Sequence, residues 1–231
     1  LLNNDTNKLA SYEVQFANKL FIIDGSGCLY WPDQSLLIFS DTHFEKGSYL
    51  AKSGNPLPLY DTHDTLTRMQ KLIETYQPNK VICLGDNMHD AYALERISSS
   101  DFQLLEKICC SVSEWEWIIG NHDKGDHTQS ALKDMQFSQE LLIDGVIFSH
   151  HHIENVSYQI FGHYHPKITV KIKESRVSDK CLIITPSKII MPSFGTYTGG
   201  LDIHHEALQD VIADEPAKYF LIHKKNVWRV K

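Results

Sequence analysis

The chain has 231 residues and a mass of 26.5 kDa, with 42% hydrophobic and 22% charged residues. That is ordinary globular composition and enough chain to bury a core without disulfides; it excludes collagen-like, coiled-coil and largely disordered architectures. The net charge of −7 excludes a histone-like or generic nucleic-acid coat protein, while leaving room for a local basic face.

In chain order, Asp24-Gly25 and the alternating stretch after it predict an N-terminal hairpin beside a first buried strand, Ser35–Ser40 (SLLIFS). Asp61–Tyr76 carries Leu66, Met69, Leu72 and Ile73 on one helical face, with Asp61 or Thr62 as N-cap and Gln77-Pro78-Asn79 as the stop. Val81–Gly85 (VICLG) predicts a second strand, and Ser100 or Asp101 caps a second helix bearing Phe102, Leu105, Ile108 and Cys109. Trp117–Gly120, Gly145–Ser149 and Tyr158–Gly162 are further short apolar runs, rich in Ile and Phe, of buried-strand type. From about residue 140 the pattern is mostly strand, with a turn at Ile143-Asp144-Gly145. Strand–helix alternation followed by strands predicts an α/β fold with a second sheet layer, and no linker or repeat divides residues 1–231, so a single domain is expected.

No apolar run approaches the roughly 20 residues of a membrane span, and the N-terminal LLNNDTNKLASY lacks the pattern of a signal peptide. The five cysteines, Cys28, Cys83, Cys109, Cys110 and Cys181, are odd in number and never spaced C-x-x-C. This speaks against a disulfide framework or a thiolate zinc site, and a cytoplasmic protein is expected.

Histidine is the departure: there are 13, most of them in short clusters that follow the strands. Asp41-Thr42-His43 follows the first, Asp86 the second, Asn121-His122-Asp123 the third, His150 the fourth, and His163-Tyr164-His165 the fifth. In open α/β sheets ligands gather beyond the carboxyl ends of strands. Asp41 and His43 are two apart, as are His163 and His165, so on extended segments each pair projects to one side. A carboxylate, amide and imidazole set without thiolate suits Mn²⁺, Fe or Zn²⁺ and is too rich in nitrogen for Ca²⁺. Seven candidate ligands exceed the needs of one ion with open positions, so two are expected, with a carboxylate between them.

The order D-x-H, G-D, G-N-H-D, H, G-H-x-H resembles the calcineurin-like metallophosphoesterase superfamily. The resemblance implies a four-layer α/β/β/α sandwich of two mixed sheets, with the site at the C-terminal ends of the central strands. It implies that Asp41, His43 and His165 hold one metal, that Asn121, His150 and His163 hold the other, and that Asp86 bridges them. His122 would be the acid beside the substrate, not a ligand. Mn²⁺ is the first expectation for both ions, with Fe or Zn²⁺ as alternatives.

Leu29-Tyr30-Trp31-Pro32, Phe44–Ser48, Leu59–Thr62 and Met191–Gly200 are similar to a bacterial subfamily, the ligase-associated DNA damage response metallophosphoesterases. This implies a phosphodiesterase, with DNA as a candidate substrate for endonuclease or end-processing activity, and a DNA ligase and helicase of a repair set as partners. One departure stands out. Where many superfamily members carry an Asp that orients the catalytic His, this chain has His89, leaving Asp123, Asp90 or no residue for that task.

Other residues carry weaker signals. Lys46, close to Asp41, is a candidate for contacting a substrate phosphate. Lys167, Lys171, Lys173, Arg176, Lys180 and Lys188 read either as a phosphate-backbone face or as a solvated hairpin surface. His151 and His152 are expected to lie outside the ligand set, and His63, His127, His204, His205 and His223 to be solvated. Two rivals remain: a hydrolase of nucleotide-like small molecules, and a non-catalytic interaction module on this fold, against which the complete set of eight site residues speaks.

Overall fold

The computed structural model describes residues 10–55, 57–123, 136–172, 174–213 and 215–230. His127 and Lys173 lie outside them. The strands are β1 Ser11–Phe16, β2 Lys19–Asp24, β3 Leu29–Trp31, β4 Leu36–Phe39, β5 Lys80–Leu84, β6 Glu114–Ile118, β7 Gln136–Ser138, β8 Glu140–Ile143, β9 Val146–Ser149, β10 Gln159–Phe161, β11 Lys167–Ile172, β12 Ser175–Ile184, β13 Lys188–Ile190, β14 Lys218–His223 and β15 Asn226–Val230. The helices are α1 Lys46–Lys52, α2 Asp61–Tyr76, α3 Ala93–Arg96, α4 Ser99–Cys110 and α5 Glu206–Ile212.

Two mixed sheets result. The first has order β1-β2-β3-β4-β5-β6-β7, antiparallel as far as β4 and parallel from β4 to β7. The second has order β15-β14-β12-β13-β10-β9-β8, with β11 paired to β12 and parallel pairing confined to β9-β10-β13. Apolar faces of both sheets meet in one core that includes Phe21, Trp31, Ile82, Phe148, Ile160 and Leu182. A second core joins the first sheet to α2 and α4, and a third joins the second sheet to α5. These cores define the expected α/β/β/α layering, because each sheet buries one face on its partner and the other under helix. Truncating a ring as enclosed as Phe148 would cost about 3–5 kcal/mol.

The bounds of α2 match the expected helix, and Leu66, Met69, Leu72 and Ile73 are buried. The expected caps are not made. Asp61 and Thr62 turn inward to Gly47 N and Glu45 N instead, at 2.9 and 2.8 Å. Ser98, not Ser100 or Asp101, caps α4 by accepting from Asp101 N at 3.1 Å. The N-terminal region holds two hairpins, not one: Ala17 and Asn18, both at positive φ, join β1 to β2, and the turn at Asp24 joins β2 to β3. The first turn carries no glycine signal, because Asn18 tolerates that conformation and Ala17 adopts it beside Asn18. The Asp144-Gly145 turn forms as expected, with both residues at positive φ.

The basic stretch is not one solvent face. Lys180 donates to the carbonyls of Phe194 and Gly195 at 3.3 and 3.2 Å, and Lys188 pairs with Glu215. Lys171 and Arg176, paired across β11 and β12, remain exposed.

Candidate metal centre

The parallel strands β4, β5 and β6 end side by side in one sheet, and β9 and β10 do so in the other. All the predicted residues leave from these ends. The local backbone differs from expectation. Asp41, His43, His163 and His165 do not lie on extended segments; their φ values are 51°, 45°, 69° and 46°. Chain past each strand instead bends to bond its neighbours. Asp41 N donates to Gly85 O at 3.2 Å, His43 N to Asp86 O at 2.9 Å and Phe44 N to Asn87 O at 2.8 Å. His163 N donates to the Asp41 carboxylate at 3.1 and 3.2 Å, linking the two sheets.

Two carboxylates sit at the middle. Asp41 is fully buried, with Oδ1 2.9 Å from His165 Nε2 and 3.8 Å from His150 Nδ1. The two oxygens of Asp86 face different imidazoles: Oδ1 lies 3.5 Å from His150 Nε2, and Oδ2 lies 3.8 Å from His43 Nε2. His150 Nδ1 meets Leu84 O at 2.9 Å, and His122 Nδ1 meets His89 O at 2.7 Å. A carbonyl only accepts, so both Nδ1 atoms carry the proton and both Nε2 atoms are left for the site.

Among the described residues, donor atoms converge in four overlapping groups, each within 4.8 Å: Asp41, His43 and His165; Asp41, Asp86 and His150; His150, His151 and His163; and His43, His89 and His122. Buried His43 Nε2 and His165 Nε2 make no hydrogen bond, the second despite its short approach to Asp41. Orphaned imidazole nitrogens aimed at carboxylates are costly without a partner and fit a bound cation. These residues therefore fit divalent ions. Asn121 is exposed, and its Oδ1 lies 2.6 Å from His151 Nε2.

Electrostatics agree with the donor geometry. Burial opposes the charge on Asp86 and Asp41, but neighbouring histidines overcome it and hold both carboxyls below their ordinary values. Burial pushes His43 down to about 3 and, helped by the charges of His150 and His151, His163 down to about 4. Burial also opposes the charge on His150, but Asp86 and Asp41 lift it to about 9. Two carboxylates beside the neutral imidazoles of His43 and His163 make a ready cation site, and a cation bound at His150 would take the place of its proton.

Neither Asp123 nor Asp90 touches the His122 ring. Asp123 is buried and accepts from the N–H groups of Asn87, Met88 and Gly120 at 3.2, 2.9 and 2.9 Å, stapling the loop that carries Asp86. Asp90 is held by Arg96. His122 is oriented by the His89 carbonyl, and the two rings stack at 5.2 Å and 14°. A backbone carbonyl, not an Asp, thus orients His122, and sequence could not show it. Lys46 begins α1, and burial lowers its pKa against the pull of Asp61 and Asp86.

The sequence reading set His151 aside because His150 directly ends the apolar run; in the fold, His151 rings contact both His150 and His163, at 4.5 and 4.3 Å. The triple-histidine run was the only signal for it.

The two sheets, the strand-end donors and their charge define a metal-dependent hydrolase of phosphate esters. The sequence pattern of the calcineurin-like phosphoesterases matches residues 35–167, and the chain belongs to that family. Among curated proteins no sequence matches significantly. Among solved structures, the Pseudomonas putida nuclease MPE is similar over 95% of this chain and 100% of its own, with 22% identity and a TM-score of 0.76. Yfce, a phosphoesterase from E. coli, gives a TM-score of 0.40 at 15% identity, over 82% of this chain and 88% of its own. Among the described residues no helix is long and apolar enough to cross a membrane.

Proposed function

We propose that this chain is a dinuclear phosphodiesterase that cuts DNA. The observation that carries the two-ion reading is Asp86, whose two oxygens face separate imidazole groups. Asp41, His43 and His165 would hold one ion, Asn121, His150 and His163 the other, and Asp86 both. Mn²⁺ leads, with Fe or Zn²⁺ as alternatives for this oxygen and imidazole set. Divalent ions held there would supply charge neutralisation and an acidified water.

The chain's own groups do the rest. The Asp123 staple fixes the loop that aims Asp86. His122, with Nδ1 committed to the His89 carbonyl, presents Nε2 3.9 Å from Asp86 Oδ2 and stays half-exposed toward solvent. From there it can protonate a leaving oxygen, a role typically worth about 10²–10⁴-fold. Lys46 offers a positive group for a substrate phosphate.

Support for DNA comes from the subfamily motifs and from the likeness to the Pseudomonas putida structure, a nuclease. A repair setting with a DNA ligase and helicase follows from those motifs. Free thiols at all five cysteines support the cytoplasm.

The test is metal analysis of purified protein with assays of bis(p-nitrophenyl) phosphate, p-nitrophenyl phosphate and nicked or single-stranded DNA. Two ions per chain, diester turnover and DNA cleavage are expected. DNA binding should weaken steeply with salt, and Lys171→Glu with Arg176→Glu should reduce that slope. Nucleotide turnover with intact DNA would overturn the DNA reading in favour of a small-molecule hydrolase.

A further inference from the structure

Two motifs, Leu59–Thr62 and Met191–Gly200, are only half used by the centre described above. Asp61 and Thr62 are buried and tied to Gly47 and Glu45. The loop through Tyr197 is anchored at both ends of the candidate metal centre. Gly195 N donates to Asp41 O at 3.1 Å, and a Cβ at Gly200 would fall 2.1 Å from His165 O. Between those anchors, Tyr197 leans over α1 beside Lys46: a Cβ on Gly47 would sit 3.4 Å from Tyr197 Cε2.

Tyr197 donates its hydroxyl to Pro58 O at 2.9 Å, which ties the far end of its side chain to the segment before α2. Tyr60 meets that ring edge-on, with centroids 5.6 Å apart, and is 51% exposed. Tyr49, also from α1, packs on His89 at 4.7 Å, and His89 stacks on His122. Tyr60 and Tyr49, both exposed, and half-buried Tyr197 therefore border the edge of the site and are unused by the phosphate chemistry. Large apolar rings left together in water, beside a basic group and a site for a phosphate ester, call for a ligand with a flat apolar face.

We propose that Tyr197 and Tyr60 form a stacking subsite for the nucleobase of an ester whose phosphate lies at the metal centre. The proposal rests on the phosphodiesterase reading and names the substrate part that reading leaves open. A nucleobase fits better than an acyl chain, because the edge-on pair of Tyr197 and Tyr60 offers ring faces to a planar partner and no closed groove to a flexible chain.

The experiment compares thymidine 5′-(p-nitrophenyl) phosphate with methyl p-nitrophenyl phosphate, which share a leaving group and differ in the base. The preference is the ratio of their kcat/KM values. In Tyr197→Leu and Tyr60→Leu it should fall about ten-fold or more, the effect of a lost base–aromatic stack, mostly through KM. Tyr197→Phe keeps the ring and should keep most of the preference. A second measurement is calorimetric binding of thymidine 5′-monophosphate against methyl phosphate to the metal-loaded protein. It reads the subsite even if neither ester is turned over, a result that would sink the phosphodiesterase reading alone. An unchanged preference in both Leu variants, or equal loss on both esters, overturns the stacking subsite. So does wild-type protein that binds the two phosphates equally.

Discussion

Gly120 and Gly162 each precede a block of candidate ligands, and the space beside each is already filled. A Cβ at Gly120 would lie 2.1 Å from Asp86 N and 2.4 Å from Asp86 Oδ1. Comfortable contact begins at about 3.5 Å, so Gly120→Ala must push the Asp86 backbone away by roughly 1 Å or more. The obstacle is main chain, so no rotamer change relieves it. Overpacking of this kind costs about 1–3 kcal/mol of stability, and a 1 Å error in a positioned group costs about 10²-fold in rate. Gly120→Ala should therefore melt lower, bind metal more weakly and turn over bis(p-nitrophenyl) phosphate about 10²-fold more slowly. Gly162→Ala meets Ser40 Oγ at 2.0 Å and Asp41 Oδ2 at 2.4 Å. A hydroxyl can rotate away, so its stability loss should be smaller while metal affinity still falls. Gly199, with nothing within 4 Å, supplies the control; Gly199→Ala should stay within about 0.5 kcal/mol of the parent. Thermal melts, metal titration and steady-state rates decide. Wild-type metal affinity and turnover in Gly120→Ala would refute the claim that backbone packing sets the Asp86 position.

Asp86→Asn should weaken both ions together, whereas His150→Ala should weaken mainly one; stepwise metal titration of each variant distinguishes them, and equal loss of both in His150→Ala would count against the assignment. Asp123→Ala strands three backbone donors and the Asn87 amide in a buried loop, and at about 1–3 kcal/mol for each unsatisfied group the loss measured by urea unfolding should reach at least about 3 kcal/mol. His122→Ala should keep its fold and metals yet lose about 10²–10⁴-fold on nucleotide diesters, whose alkoxide leaving group needs a proton. On p-nitrophenyl esters it should lose clearly less; equal losses would recast His122 as an electrostatic clamp.

The layering and the strand ends were legible because both follow from period. Short apolar runs that stop at Asp, Asn or His place those residues beyond a sheet edge, and amphipathic α2 has one answer for where its Leu66–Ile73 face goes. Features that depend on contacts between distant segments were not legible. Nothing local shows that Asp61 would give up a cap to hold Gly47, 14 residues back. The same holds for His122, whose partner is a main-chain carbonyl with no side-chain signature. Lys180 and Lys188 read as surface charge, yet their partners, the Phe194 carbonyl and Glu215, come from other strand ends and loops.

The conformations at the strand ends explain why the D-x-H and H-x-H spacings work here without extended chain. Asp41, His43, Asp86, His163 and His165 all have positive φ, between 45° and 69°. Non-glycine residues hold that region at a cost of about 1–3 kcal/mol each, so five together need a framework that leaves them no alternative. That framework is the ladder continued past the strands: Asp41 N to Gly85 O, His43 N to Asp86 O, Thr42 Oγ1 to Asn87 O, and Asp123 beneath. Each reversal turns the chain sharply and keeps its side chain over the shared sheet edge, so residues two apart still converge. At the centre the strain falls on carboxylates and imidazoles that crowd one another in the folded chain. A cation that binds only this arrangement stabilises it by an amount that grows with the logarithm of its affinity. The donors are costly to assemble, and the fold's own hydrogen bonds, not the ion, set where they stand.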